Sequence, residues 1–141
     1  MTLGNLAKAI NSQNVKLSIS GSEVITIFNV TKLKDFPVNR INSRSGAADF
    51  PSNPLIEVTF DAIVSKDVYT TFDTAATMNS RGVLPLTAFT VVGQNIGGVS
   101  GDDITISFSA IVPHMEDLAP ERGAYTIRVT LRIANSTYVV S

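Results

Sequence analysis

The chain has 141 residues, with 11 Lys+Arg against 12 Asp+Glu (net charge -1), 44% hydrophobic and 16% charged residues, and no cysteine. That length suits one domain, residues 1–141, with a substantial core, while the near-neutral balance leaves no electrostatic footprint for nucleic-acid binding and the missing thiols exclude disulfides, thiolate zinc sites and a cysteine nucleophile. Soluble domains usually carry about 25% charged residues, so this surface is expected either to be neutral Ser, Thr and Asn or to lie against a partner.

Residues 1–14 are weakly apolar (Leu3, Leu6, Ala9, Ile10), without the basic start and continuous apolar core of a signal peptide. They predict a short helix or an arm. No apolar run approaches the roughly 18 residues of a spanning helix, so no membrane contact is expected. Val15 to Ser20 alternates with period two, meets Gly21-Ser22 and resumes from Val24 to Phe28, which predicts two strands around a turn.

Residues 32–54, KLKDFPVNRINSRSGAADFPSNP, are rich in Pro, Ser, Gly and Asn, yet Phe36, Val38, Ile41 and Phe50 are distributed through them. Disordered linkers are poor in such residues, and loops of this length usually have a job. The reading is a long hairpin-like excursion that docks onto another surface, a neighbouring subunit being one candidate.

Ile56, Val58, Phe60, Ala62 and Val64 alternate with Glu57, Thr59 and Asp61, the pattern of a half-buried strand. The period then changes. Val68, Phe72, Ala75 and Ala76 mark one face of a helix over about 66–79, with Ser65 or Asp67 as N-cap and Gly82 as its left-handed stop. Three further strands are expected over Leu84–Val92, Ile104–Val112 and Tyr125–Ile133, and the apolar tail Thr137–Val140 could add to a sheet. The predicted fold is mainly β: a β-sandwich or partly open barrel of about six to eight strands with one packed α-helix.

Residues 113–123, PHMEDLAPERG, hold the one histidine beside Glu116, Asp117 and Glu121. A histidine base needs a nucleophile and an orienting partner that adjacency does not supply, and no H-E-x-x-H spacing is present. The segment reads as a solvated or interfacial loop. GQNIGGVSG, residues 93–101, fits neither phosphate-binding glycine pattern and leads into a strand. Asp102-Asp103 lacks the EF-hand pattern. Asn29-Val-Thr31 and Asn135-Ser-Thr137 match the glycosylation sequon, a short pattern that often occurs by chance. Arg128 and Arg132 share a polar strand face and are expected to pair with Asp61 or Glu57 across strands. Neither catalysis nor a metal or other cofactor is expected.

Residues 55–133 carry a family resemblance. LIEVTFDAIVSKDVYTTFDTAATMNSRGVLPLTAFTVV, then ITISFSAIV with Phe108-Ser-Ala-Ile-Val112, an acidic loop and Val129-Thr-Leu-Arg-Ile133 resemble the tail tube proteins of long-tailed bacteriophages. The two preceding strands and the loop at 32–54 match that layout too. The near-neutral charge departs from lumens that tend to be acidic, and the glycine-rich connection at 93–101 is longer than the usual turn.

The resemblance implies a virion structural protein, assembled in the host cytoplasm, whose rings of usually six copies stack into a tube for genome passage. Its partners would be itself, other tail proteins and DNA that slides through without specific binding. Phe36, Val38, Ile41, Phe50, Tyr138 and Val139 would then serve the subunit interface. Glu57, Thr59, Asp61, Thr105, Ser107 and Ser109 would line the channel. The competing reading is a capsid decoration or adhesion module that presents the loops at 93–101 and 113–123.

Overall fold

A computed structural model describes residues 8–21, 23–36, 38–51, 54–119 and 123–141. The elements in chain order are β1 (Ile10–Ile19), β2 (Glu23–Asp35), β3 (Val38–Ser43), β4 (Gly46–Pro51), β5 (Leu55–Ile63), helix α1 (Lys66–Ala75), β6 (Thr87–Asn95), β7 (Ile104–Leu118), β8 (Thr126–Ile133) and β9 (Val139–Val140). Among the described residues, β6-β1-β2-β5-β8-β7 form one antiparallel sheet, and pairing of β7 with β6 closes it into a six-stranded barrel. The sandwich alternative is therefore corrected. Closure pairs the sheet's two outermost strands and leaves each without a continuous bare edge.

Alternation decides the core. Ile56, Val58, Phe60 and Ala62 on β5 and Ile127, Val129, Leu131 and Ile133 on β8 are buried, together with Leu17, Ile19, Ile27, Phe89, Phe108, Ala110 and Val112. Gly93 sits where a Cβ would come within 2.8 Å of Ile10 Cγ2, so glycine lets β1 close over β6 there. Two long strands, β2 and β7, carry register shifts between Phe28 and Thr31 and between Ile111 and His114. Asn29 takes a left-handed φ of 53° within the first shift. Such bulges bend a strand, and each strand thereby serves two walls: β2-β5-β8-β7 on one side of the barrel, β2-β1-β6-β7 on the other.

Several boundaries differ from the sequence reading; the strand expected over Leu84–Val92, for one, is β6 over Thr87–Asn95 and takes in the first residues of the glycine-rich connection. Strand β7 runs through Pro113 to Leu118, so the expected loop at 113–123 is largely strand; Pro113 falls within the bulge, where its missing N–H breaks no regular pair. Helix α1 ends at Ala75, with Ser65 as its N-cap accepting from Val68 N. Gly82 is left-handed, but it belongs to a later turn in which Asn79 Oδ1 accepts from the backbone of Arg81 and Val83. The excursion at 32–54 is mostly ordered ladder. Strand β2 extends to Asp35, and β3 and β4 pair only with each other from Val38↔Pro51 to Ser43↔Gly46, a two-stranded arm beyond the barrel. Residues 1–7 of the expected N-terminal arm lie outside the described residues, and β1 begins at Ile10.

Helix α1 fills an opening. Strand β7 pairs with β6 only as far as Ala110, and beyond it Tyr69, Asp73 and Ala76 of the helix side share a depression with Val112, Pro113, Met115 and Asp117. Phe72 is fully buried between Phe60 (centroids 5.9 Å apart) and Phe89 (6.5 Å). The helix thus sits at one end of the barrel. The β3–β4 arm, the loop at 96–103 and the C-terminal tail sit at the other.

Candidate subunit interface and channel face

The wall β2-β5-β8-β7 places its polar residues in rows, because directly paired residues point to the same side. One row is Thr31, Thr59, Thr130 and His114; the next toward the arm is Leu33, Glu57, Arg132 and Ile111; toward the helix, Asp61, Arg128 and Glu116. Arg132 donates to Glu57 Oε1 at 2.8 and 3.2 Å. Arg128 grips Asp61 with two bonds of 2.9 and 3.3 Å, and Asn29 donates to the same carboxylate at 2.9 Å. Thr59 and Thr130 hydroxyls meet at 3.2 Å between these pairs. Both expected cross-strand pairings are present.

Asp61 is only 3% exposed. Its carboxyl is held below the ordinary value chiefly by the hydrogen bond from Arg128, against the opposing effect of burial, with help from Asn29. The face therefore exposes arginines whose charge is already met by carboxylates. His114 Nε2 lies 3.8 Å from Glu116 on the same face. Among the described residues no group of three or more His, Cys, Asp or Glu could hold a metal ion.

The six residues expected at the channel fall on two stretches of the sheet. Glu57, Thr59 and Asp61 lie on this wall. Thr105, Ser107 and Ser109 lie on the part of β7 that pairs with β6, where Ser107 pairs with Val139 and the Ser109 backbone N–H donates to Thr137 Oγ1 at 2.8 Å. The tail partly covers that second set.

Of the expected interface residues, Phe36 and Tyr138 are brought together although 102 positions apart in the chain. Lys34 Nζ stands 5.6 Å from the Phe36 ring centre and 5.4 Å from that of Tyr138. Lys32 Nζ lies 4.7 Å over the Tyr138 ring and donates to its hydroxyl. Cation–π attraction at such distances is worth about 0.5–1 kcal/mol on an exposed site. Val139 is exposed next to this cluster. Val38, Ile41 and Phe50 lie on the β3–β4 arm, and their side chains are outside the described set.

Sequence reasoning missed a second cluster. Asp117 Oδ2 accepts from the hydroxyls of Tyr69 at 2.9 Å and Tyr125 at 2.6 Å, whose rings meet edge to face at 6.0 Å. The bond to Asp117 pushes the Tyr125 hydroxyl up to about 12 and raises that of Tyr69 as well. The available signal was the continued alternation through Pro113, which places His114 and Glu116 on one side and Met115 and Asp117 on the other.

Two stretches of this wall lack a ladder partner. Among the described residues, Phe28–Asp35 of β2 has no strand on its β1 side, because β1 leaves β2 after Val15↔Ile27. A groove of about 620 Å³ opens there, lined by Ile10, Ser12, Gln13, Val15 and residues 26–30. Strand β7 from Ile111 to Leu118 has no strand on its β6 side. The two bare edges stand at opposite sides of one four-stranded wall.

No protein-family model matches the chain, and no curated protein does. Solved structures do. A chain of the sheath–tube complex of an extracellular contractile injection system (PVC, extended state) superposes with a TM-score of 0.71 at 14% identity, covering 100% of this chain and 98% of that one. A chain of the anti-feeding prophage cap, the AFP tube terminating cap, gives 0.68 at 13% identity over 94% and 91%. A crystal structure of an Hcp protein gives 0.51 at 14% identity over 90% and 98%. The chain thus has the fold of proteins from contractile-injection tube assemblies, and its structure, like its sequence, resembles the tail tube proteins.

Proposed function

We propose that this protein is a structural, non-catalytic subunit of a phage-like tail tube: copies close laterally into rings, rings stack into a tube, and the β2-β5-β8-β7 wall lines the channel. The pair of bare edges carries this reading. Within the wall, β2 and β7 run antiparallel, so the bare edge of β7 in one copy can pair with the bare edge of β2 in the next in the antiparallel manner. Four strands per copy then keep the alternation unbroken around the ring. A head-to-tail contact that closes by rotation is a ring, and edge-to-edge pairing satisfies backbone groups otherwise left to water.

Stacking is supported by the two ends of the barrel. Large apolar residues are exposed at the helix end (Met78, Val83, Leu86) and at the arm end (Ile96, Val99, Ile104). Contacts between unlike ends extend along an axis. The β3–β4 arm is the element that reaches beyond the barrel, and the proposal assigns Phe36, Val38, Ile41 and Phe50 to contacts between copies. Six copies per ring, a virion or virion-like particle as location, and passage of nucleic acid are part of the same proposal, in keeping with the resemblance.

Negative-stain microscopy of the purified chain should show rings or tubes. Removing residues 38–51 should stop stacking while leaving the barrel folded. A chain that stays monomeric at millimolar concentration would sink the proposal.

A further inference from the structure

We propose that Asp117 of one copy forms ion pairs with Lys32 and Lys34 of the next, so that each lateral seam is closed by charge as well as by backbone pairing. This inference rests on the ring reading. Its first support is side. Lys32 and Lys34 stand opposite Val58 and Ile56, and Asp117 stands opposite Ile127; all three apolar partners are buried. The two lysines and the aspartate therefore project from the core side of the wall, at its two opposite bare edges. When edge meets edge, groups on the same side of the sheet become neighbours.

The second support is height. Within one copy a single row joins Asp117, Ile127, Ala62 and Ile27. Strands of a closed barrel tilt by about 35–45° to its axis. Across four strands about 4.8 Å apart, such a row climbs about 13–19 Å, or about four to six residues at about 3.3 Å each. Along β5 from Ala62, a climb of four residues reaches Val58, opposite Lys32. A climb of six reaches Ile56, opposite Lys34. The opposite climb would land Asp117 on the part of β2 that β1 already occupies.

The third support is chemistry. Asp117 is exposed, and its Oδ2 is held by two tyrosine hydroxyls while, among the described residues, Oδ1 accepts no hydrogen bond. Lys34 lies over the rings of Phe36 and Tyr138. Each charge is thus set on an aromatic platform before the partner arrives, which reduces the side-chain freedom lost on association. The lysines of one edge and the aspartate of the other are complementary, and like edges repel.

The test is a charge exchange read by microscopy and light scattering. Asp117→Lys alone and the pair Lys32→Glu with Lys34→Glu alone should each lose assembly. Combining all three substitutions in one chain should restore it. Mixing the two separately inactive proteins should also restore it, because every seam of an alternating ring then joins opposite charges. Circular dichroism of each variant should match wild type, which separates loss of assembly from unfolding. Single-edge variants that assemble like wild type overturn the proposal and leave the ring reading standing. So does failure of a combined variant that is itself folded by circular dichroism. A wild-type chain that never assembles overturns the ring reading itself, and this proposal with it.

Discussion

Asp61 illustrates how a polar residue on an outward position becomes structural. Alternation puts it beside Glu57 and Thr59, yet it is buried under Arg128 and Asn29. Because its folded pKa is depressed below 3.8, the stability it supplies is present above the unfolded value and is lost as pH falls through the folded one. Asp61→Asn should cost about 1–3 kcal/mol at neutral pH, a range set by one buried carboxylate against a half-exposed guanidinium. In urea titrations the gap to wild type should stay constant above about pH 5 and shrink progressively below it. Tyr125 has the opposite sign. Its raised value of about 12 means its bond to Asp117 is fully present below about pH 10 and is lost as the pH climbs through 12. Tyr125→Phe should remove that alkaline step from the pH–stability curve. The pairings of Arg128 and Arg132 were readable in the sequence, since two arginines four apart on one strand match two acids four apart on an antiparallel neighbour. The meeting of Phe36, Lys34 and Tyr138 was not, because nothing local says that the tail returns beside the end of β2.

Strands were legible wherever one face is core, as in β5 and β8, where every second residue is buried. Legibility failed where strands outrun the core. The outer parts of β2 and β7 read as loops because Lys, Asp, Pro and His interrupt the apolar rhythm, and these are the stretches left without a strand on one side. Closure of the barrel was equally hidden, because it depends on β6 meeting both β1 and β7 in register. Helix α1 was visible by its period, and its role as a plug follows from Phe72. Phe72→Ala should cost about 3–5 kcal/mol, measured by chemical denaturation, and should loosen the helix against β7.

For the whole molecule, the wall proposed to line the channel neutralises its own arginines. Phosphate contacts hold a duplex with an affinity that grows with each unpaired cation and falls with salt. Replacing Glu57 by Gln and Asp61 by Asn should make the assembled protein retain double-stranded DNA in a salt-dependent way that wild type does not. Filter retention at low and moderate salt would measure it. Wild-type retention equal to that of the double variant would show that the acids do not screen the arginines.

One strand has a consequence for kinetics. Strand β2 carries one of the two bare edges and is also the strand that precedes the β3–β4 arm. In the proposed tube, a copy arriving on a finished layer would be steadied along this strand from two directions, whereas the first few copies in solution would be steadied from one. Growth should therefore show a lag, a steep dependence on protein concentration, and immediate elongation when short fragments are added as seeds.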